Sequence, residues 1–351
     1  MLWADDRSPN LGVRALAHGT AALVRSTFPG ADVDFQSVGA GAAPVPIGSW
    51  KRLLRERVDG RAHLQDWLRS YDIVIDTRSG DSFADIYGRH RLATMTMLSE
   101  LVGAARVPLV LGPQTIGPFE TWPGRVAARR TLRQARLVMA RDPQSADASR
   151  KLGRPVDVLT TDVVFGLPDP GVEKSRDVVL NVSGLLWNPG PHVDSEGYRA
   201  TVTDLRARLE AQGRHVTLLA HVIGTAGRDN DTETVERLAA QGSDVVVPCD
   251  LDDVRRVVAS ARLVIGSRMH ACLNALSVGT PAIPLAYSRK FAPLLAHLGW
   301  TATVDLRTST DPVGEVLRFA DDTSLADDVS QLRVRAAEAL TLAGTALRGA
   351  L

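Results

Sequence analysis

Residues 262–287 have the sequence RLVIGSRMHACLNALSVGTPAIPLAY, and this stretch decides the fold of the second half of the chain. Arg262–Ile265 predicts a short apolar strand, and Met269–Val278 predicts a helix after a Gly-Ser turn. The Gly-Thr-Pro at 279–281 ends the helix, because a glycine C-cap and a nearby proline stop helices. A second buried strand is predicted over Ala282–Tyr287. The stretch is therefore a strand–turn–helix–strand unit of a parallel sheet.

Polar side chains follow the carboxyl ends of both strands of this unit. They are Ser267, Arg268, His270, Tyr287, Arg289 and Lys290. Ligands of open parallel sheets bind beyond these ends. The helix N terminus between the two groups also favours an anion, through its unpaired N–H groups and its dipole. The sequence therefore predicts a site for a small, multiply charged anion, with one titratable imidazole within reach.

The same stretch resembles the signature of the polysaccharide pyruvyl transferase family. The resemblance rests on Ser-Arg-Met-His at 267–270, Ala275, Gly-Thr-Pro at 279–281, Tyr287 and Lys290. It extends to four earlier segments: Asn-x-Gly at 10–12, the Gly-rich loop at 79–88, Gly-Pro-Gln-x-Ile-Gly-Pro at 112–118 and Arg-Asp-x-x-Ser at 141–145. After Asn-x-Gly the family has an acidic residue, whereas this chain has Val-Arg. Members of the family transfer a pyruvyl group from phosphoenolpyruvate to a sugar, usually as a ketal.

For such a reaction, each charged group of the predicted anion site has an expected role. Arg268 is expected to bind the carboxylate or the phosphate of phosphoenolpyruvate bidentately, since a guanidinium suits such oxygens. Arg289 and Lys290, with the helix N terminus, are expected to bind the other group. His270 is the expected general acid, because imidazole titrates near neutral pH. The scheme calls for no metal, and phosphoenolpyruvate enters as the donor substrate and not as a cofactor.

Two carboxylates, Asp81 and Asp85, follow the predicted buried strand Asp72–Asp76. Carboxylates bind sugar hydroxyls, and Asp81, Asp85 or His221 is expected to help deprotonate a hydroxyl of the acceptor. Capping of the following helix by Asp81 is an alternative interpretation of the same pattern.

Five more residues are candidates for substrate binding: Asn10, Gly12, Gln114, Arg141 and His221. Gln114 lies in a loop that two prolines and two glycines fix in shape, and it is expected to face the site. Arg141 either pairs with Asp142 or binds an anion. Asn10 and Gly12 open the first helix, where an Asn cap and a tight turn are the alternative. His221 follows the predicted strand Val216–Ala220, where a core or capping histidine is the alternative.

The pattern of elements predicts an α/β protein of two Rossmann-like, doubly wound domains with a cleft between them, closed by a C-terminal helix. The first domain is expected over 1–168 and the second over 176–323, with an amphipathic helix over 324–351. The family resemblance implies the same architecture, which is that of GT-B glycosyltransferases. It places the sugar acceptor on the first domain and phosphoenolpyruvate on the second.

Composition narrows the possible functions further. The 351 residues carry a formal net charge of +1, which provides no bulk field for nucleic acid or a membrane. Cys249 and Cys272 are the only cysteines, so no disulfide framework or thiolate cluster is expected. The first residues lack the pattern of a signal peptide, and no apolar run reaches the length of a membrane span. A cytoplasmic enzyme is predicted, for which peripheral attachment to a membrane stays open and the oligomeric state is unknown.

Two alternative functions fit the same residues. In a nucleotide-sugar glycosyltransferase of GT-B shape, the Arg/Lys pair would hold a diphosphate and an acidic residue would grip the ribose. No acidic residue directly follows the turn at 267–270, which counts against this function. A non-catalytic glycan- or anion-binding protein would need no proton donor, so His270 would be dispensable for binding.

Overall fold

The computed structural model describes residues 1–224, 227, 229–239, 242 and 244–351. The chain forms two compact units. Unit 1 comprises Met1–Arg7, Leu16–Gly166 and Ala336–Leu351, and unit 2 comprises Ser8–Ala15 and Leu167–Arg335. The main division at 166/167 lies close to the predicted boundary at 168. In contrast to the predicted domains, a segment near the N terminus belongs to the second unit, and the last helix is divided between the two.

Unit 1, all of whose residues are described, is built on a parallel sheet of four strands in the order β1–β2–β3–β4. These are β1 (Val74–Asp76), β2 (Leu109–Gln114), β3 (Leu137–Ala140) and β4 (Val158–Leu159). The helices of the first half are α1 (Leu11–Thr27), α2 (Trp50–Asp59), α3 (Leu64–Arg69), α4 (Arg89–Ala105), α5 (Trp122–Gln134) and α6 (Pro143–Lys151).

Both faces of the unit 1 sheet are covered, as a continuously apolar strand sequence predicts. Leu109 and Leu111 of β2 belong to one apolar cluster, with Leu98 of α4, whereas Val110 belongs to a second cluster. Leu347 near the C terminus packs in that second cluster. Alternate residues of β2 thus pack into two separate hydrophobic cores, one on each face, which is the arrangement of a doubly wound sheet.

From the sequence, residues 2–4 are expected to end a strand and residues 31–36 to form one, but the structure reduces both to isolated bridges. Leu2 pairs in parallel with Gln36 on one side and with Asp76 on the other. Residues Asp32 and Asp34 are exposed, so the segment before Gln36 lies at the margin of the sheet, where few backbone groups are paired.

Unit 2 contains, over its described residues, a parallel sheet of six strands in the order β10–β9–β8–β5–β6–β7. These are β5 (Arg176–Asn181), β6 (Val216–Leu219), β7 (Asp244–Val246), β8 (Ala261–Gly266), β9 (Ala282–Ala286) and β10 (Val304–Asp305). The helices are α7 (Gly184–Trp187), α8 (Ser195–Ala211), α9 (Asp231–Ala239), α10 (Leu251–Ser260), α11 (Met269–Ser277), α12 (Phe291–His297), α13 (Pro312–Ala320) and α14 (Leu325–Arg348).

The strand order of unit 2 is that of a dinucleotide-binding Rossmann sheet, whose first and fourth strands lie side by side. Here these strands are β5 and β8, which pair in register from Arg176 and Ala261 to Asn181 and Gly266. The chain leaves them in opposite lateral directions, so the switch point, beside which such sheets bind their ligands, lies between β5 and β8. The prediction of an α/β protein with two Rossmann-like units is confirmed. No helix within the described residues combines the length and the apolar character needed to cross a bilayer.

Candidate active site

The turn after β8 is fixed by close packing around one glycine. A Cβ on Gly266 would lie 2.9 Å from the Sγ atom of Cys272 and 3.4 Å from the Cβ atom of Asn181. Cys272 is buried in α11, and its thiol donates to the Gly266 carbonyl at 3.4 Å. At the other end of the helix, Gly279 has a φ of 78°, which is the left-handed conformation that its C-terminal stop requires.

Asn181, at the end of β5, holds the backbone of the turn. Its Oδ1 atom accepts from the backbone N–H of Arg268 at 2.9 Å, and its Nδ2 atom donates to the Leu219 carbonyl at 3.0 Å. Ser267 was predicted to bind substrate. The structure instead buries it completely, and its hydroxyl lies 2.7 Å from the Tyr198 hydroxyl. Ser267 and Asn181 therefore shape the turn from within the protein.

Arg268 is buried, and its guanidinium is held by two carboxylates. Both its Nε and Nη2 atoms donate to Asp231, the latter at 2.7 Å, and Nη2 also lies 2.7 Å from the Asp229 Oδ1 atom. Burial opposes the charge, but the carboxylates of Asp231 and Asp229 outweigh it and raise the pKa of Arg268. The Nε–Nη2 edge is thus occupied, which corrects the expectation of a bidentate ligand there. The Nη1 atom is not part of this pairing with Asp231 and Asp229.

Asp231, the first residue of α9, is the centre of this network and was not singled out from the sequence. It is fully buried and accepts from the backbone N–H groups of Gly184 at 2.8 Å, His221 at 3.0 Å and Val222 at 2.9 Å, in addition to Arg268. The carboxylate therefore ties together the segments that follow β5, β6 and β8. An acidic residue at a predicted helix start was the available signal, and it also fits an ordinary helix cap.

His270, in the first turn of α11, is partly exposed and lies against the start of α1. A Cβ on Gly12 would lie 2.8 Å from the Cβ atom of His270 and 2.9 Å from its Nδ1 atom. The Oδ1 atom of Asn10 accepts from the Gly12 N–H at 2.9 Å, and the Leu11 N–H donates to the His221 carbonyl at 3.1 Å. The structure thus brings Asn10 and Gly12 to His270, inside unit 2. Only a residue without a side chain fits beside the imidazole.

His221 is buried beside the same turn. Its Nε2 atom lies 3.5 Å from the Nδ2 atom of Asn274, whose Nδ2 also donates to the His270 carbonyl at 2.8 Å. For its Nδ1 atom the described residues provide no hydrogen-bond partner. Burial, and then the charges of His270 and Arg268, lower the pKa of His221 to about 3. His221 is therefore neutral at physiological pH, and so weak a base is a poor acceptor for a hydroxyl proton.

The second basic turn places an aromatic ring and a lysine near Arg268. Tyr287 packs edge-on against His192, with the ring centroids 5.5 Å apart. Burial raises the pKa of Tyr287, although the positive charges of Arg268 and Lys290 act against it, so these three residues lie within electrostatic range of one another. Lys290 precedes α12 and is partly exposed, and Arg289 is exposed. The predicted basic residues of both turns thus lie in unit 2.

The two candidate carboxylates of unit 1 differ in environment. Asp85 is buried and accepts from the backbone N–H groups of Glu120 at 3.0 Å and Thr121 at 2.8 Å, and from the Thr121 hydroxyl at 2.7 Å. Burial raises the pKa of Asp85, but these donors outweigh it and hold that pKa below its usual value. Asp85 therefore fixes the start of α5. Asp81 stays partly exposed, and its Oδ2 atom accepts from the Tyr87 hydroxyl at 3.1 Å.

Gln114 and Arg141 are also buried in unit 1. The Nε2 atom of Gln114 donates to the Asp76 carbonyl at 3.2 Å, across the sheet. Arg141 is paired with Asp162 at 2.7 Å and donates to the Thr115 hydroxyl at 3.0 Å. Arg141 thus pairs with Asp162 and not with Asp142, whereas the buried Oε1 atom of Gln114 has no hydrogen-bond partner among the described residues.

The comparison with protein families shows the family of the chain. The profile described as Polysaccharide pyruvyl transferase matches residues 10–289, which are most of the chain and contain Gly12, Arg268, His270 and Tyr287 of the site. The chain belongs to the polysaccharide pyruvyl transferase family. A curated relative, the amylovoran biosynthesis protein AmsJ of Erwinia amylovora, is 21% identical over 266 residues, which are 67% of this chain and 61% of that protein. The chain thus spans less than two thirds of AmsJ.

The chain is also similar to several solved structures, and these similarities concern its fold. The UDP-GlcNAc 2-epimerase of Neisseria meningitidis, bound to UDP-GlcNAc, is similar with a TM-score of 0.54 and 12% identity over 86% of this chain and 82% of that one. Anabaena Alr3699/HepE in complex with UDP gives a TM-score of 0.53 and 14% identity, over 82% and 80%. The epimerase of Methanocaldococcus jannaschii gives 0.52 and 10%, over 95% and 97%. These likenesses show a GT-B-like fold and nothing of the ligand.

In this member of the pyruvyl transferase family, the predicted anion-binding residues lie together in one unit. His270, Gly12, Arg268, Tyr287 and Lys290 gather in unit 2, at the switch point of its sheet. Among the described residues, no group of His, Cys, Asp and Glu is arranged to hold a metal ion. The chemistry that this arrangement offers is anion binding next to an imidazole.

Proposed function

We propose that this family member transfers the pyruvyl group of phosphoenolpyruvate to a sugar of a cell-surface or secreted glycan and forms a pyruvate ketal. The observation that carries the proposal is the position of His270. His270 is partly exposed at the start of α11, its imidazole is backed by Gly12, and both His270 and the buried Arg268 lie within electrostatic range of His221. A proton donor next to a fixed positive charge suits the protonation of an anionic enol ester.

The donor anion is proposed to bind to three kinds of positive group in unit 2. Nη1 of Arg268 contributes one charge-assisted hydrogen bond, because Asp231 already occupies the Nε–Nη2 edge. The N–H groups in the first turn of α11 contribute a helix N terminus. Lys290, with the exposed Arg289, neutralises the second anionic group. The carboxylate and the phosphate of phosphoenolpyruvate thus have separate partners.

The proposed reaction has two steps. The imidazolium of His270 donates its proton to the methylene carbon of phosphoenolpyruvate, which becomes a methyl group, and a sugar hydroxyl adds to the adjacent carbon and loses its own proton. A second hydroxyl of the same sugar then displaces inorganic phosphate from that carbon and closes the ketal. General acid catalysis of the first step is worth about 10²- to 10⁴-fold in rate.

The sugar acceptor is proposed to bind to unit 1. Asp81 is the carboxylate of unit 1 best suited to it, because Asp85 is buried under three hydrogen bonds whereas Asp81 is partly exposed. The exposed Tyr87, whose hydroxyl donates to Asp81, offers an aromatic face next to this carboxylate. The enzyme is further proposed to act in the cytoplasm, where phosphoenolpyruvate is made.

The test is phosphate release from phosphoenolpyruvate in the presence of a panel of sugar acceptors. We expect acceptor-dependent release, lowered at least a hundredfold in His270→Asn, since Asn is similar in size and cannot donate the proton. His215→Gln is the matched control, because His215 is an exposed histidine of the same unit. Full activity of His270→Asn would refute the role of His270.

A second measurement separates the proposal from nucleotide-sugar chemistry. Phosphoenolpyruvate is expected to protect the protein against heat denaturation, and a nucleoside diphosphate is not. The opposite result, together with no phosphate release for any acceptor, would favour the glycosyltransferase.

A further inference from the structure

We propose that unit 1 carries a docking surface for an anionic membrane, formed by the exposed sides of α2 and α5. This surface, called the α2–α5 face below, surrounds a groove of about 760 Å³. Both helices pack on α4, whose residues Glu100, Gly103 and Ala104 line the groove between them. Its remaining lining is Arg57 from α2 and Val126, Arg129, Arg130, Arg133 and Gln134 from α5.

Positive charge is concentrated on this face. Helix α5 carries four arginines and no acidic residue, and α2 exposes a further four basic side chains. These are Arg125, Arg129, Arg130, Arg133, Lys51, Arg52, Arg55 and Arg57. One of them, Arg130, is paired with Glu100. The whole chain has a formal net charge of only +1, so the face is a local basic field on a nearly neutral protein. Such a field attracts a polyanionic surface and weakens with salt.

Exposed apolar side chains lie among these arginines, and they identify the partner as a lipid surface. Trp122 is 72% exposed and Val126 42%, one helical turn apart on α5. On α2, Val58 is 83% exposed and Leu54 42%, again one turn apart. Residues four apart share one helix face, so each pair lies beside an arginine that lines the groove. A soluble polyanion gains nothing from these side chains, whereas tryptophan and aliphatic residues insert among lipid headgroups.

The proposed contact is a peripheral one. Arginines beside an anionic bilayer each contribute about fivefold in the partition coefficient, and four or more of them suffice for reversible binding when apolar side chains assist. The surface lies wholly within unit 1 and contains none of the residues proposed for catalysis. Membrane docking is therefore independent of the identity of the donor, and it would retain the enzyme where a lipid-linked acceptor is found.

The experiment is co-sedimentation of the full-length protein with vesicles. Vesicles of equal parts phosphatidylglycerol and phosphatidylcholine are expected to bind the protein, and vesicles of phosphatidylcholine alone are not. The double variant Arg129→Gln, Arg133→Gln is expected to bind about thirtyfold more weakly, from two arginines at about fivefold each. The matched control Arg237→Gln, Arg256→Gln removes two exposed charges from unit 2 and should bind like the wild type.

The apolar contribution is measured with a second pair of variants. Trp122→Gln is expected to weaken binding at low and at high salt, whereas the arginine variant loses its effect at high salt because charge is screened. Val334→Gln, which changes an exposed valine of unit 2, is the control. Equal binding to both vesicle types, or unchanged binding in both α2–α5 face variants, would overturn the proposal. Binding to dextran sulfate without binding to vesicles would also overturn it and would assign the face to a soluble polyanion.

Discussion

Replacement of Asp231 by Asn tests the network that positions Arg268. The substitution keeps the size of the side chain but removes the negative charge from a fully buried position. It leaves the guanidinium of Arg268 without its buried counter-charge and turns an amide N–H₂ toward backbone donors such as the N–H of His221. Loss of one partner of a buried ion pair costs about 3–5 kcal/mol of unfolding free energy. We therefore expect Asp231→Asn to destabilise unit 2 by an amount in that range.

The second carboxylate on the same guanidinium provides the matched control. Asp229 lies 2.7 Å from the Arg268 Nη2 atom, but its side chain is 52% exposed. Water screens such a pair, and exposed ion pairs contribute about 0–1 kcal/mol. Asp229→Asn is thus expected to change the unfolding free energy by no more than about 1 kcal/mol, although it removes the same charge from the same cation.

The assay must report on unit 2, because the two units need not unfold together. Cys272 is buried in α11 and provides such a probe. In a Cys249→Ser background, the urea dependence of Cys272 labelling by a thiol reagent follows the opening of unit 2. If Asp231→Asn shifts the midpoint no further than Asp229→Asn, then Asp231 does not hold Arg268 and the strand ends as argued.

Three further predictions follow from the same site. Gly12→Ala should lower kcat about 10- to 100-fold and also destabilise unit 2, since its Cβ would lie 2.8 Å from the Cβ atom of His270 and displace that residue. Folding lowers the pKa of His221 from 6.5 to about 3. Between these pH values the unfolded chain binds a proton that the folded chain does not, so the free energy of unfolding should fall by about 1.4 kcal/mol for each pH unit below 6.5. Urea unfolding at several pH values in this range measures the fall. Ellman's reagent should label Cys249 and leave Cys272 unmodified in the folded protein, because burial raises the pKa of the Cys272 thiol.

For each of these three predictions, one result would contradict it. A Gly12→Ala enzyme with wild-type kcat would show that the imidazole does not depend on this neighbour. The free energy of unfolding of His221→Gln should depend less on pH than that of the wild type between pH 6.5 and 3. Parallel curves for the two proteins would rule out His221 as the source of the pH dependence. Rapid labelling of both thiols would contradict the packing of α11 against Gly266.

The sequence predicted the elements well wherever one continuous apolar run was closed by a local signal. The sequence predicts a strand over Leu137–Ala140, and the structure has a strand with these bounds. Helix α11 begins at Met269 and ends before a left-handed Gly279, as the Gly-Thr-Pro indicated. The strand expected over 31–36 does not form: of these residues, all of them described, only Gln36 makes isolated bridges, to Leu2 and to Gly41. Whether a marginal strand forms depends on its neighbours and not on its own residues.

The candidate site was predicted in its residue types more successfully than in its contacts. His270 and Arg268 were found because they follow a strand end, which is a local pattern. Asp231 was missed because its partners come from segments far apart in the chain, and no spacing in the sequence records them. Gln114 and Arg141 were predicted as substrate-binding candidates, but both are buried and bond to neighbours inside unit 1. The sequence did not show this, since a polar residue after a strand can bond inward as well as toward a ligand.

The placement of Ser8–Ala15 in unit 2 has a consequence for the order in which the protein is made and for how it can be divided. Gly12 precedes His270 by 258 residues in the chain, so it is synthesised long before the imidazole that it contacts. The contact between the two residues therefore cannot form until α11 has emerged from the ribosome. A fragment that covers only residues 167–335 would lack Gly12, the neighbour of His270 within unit 2.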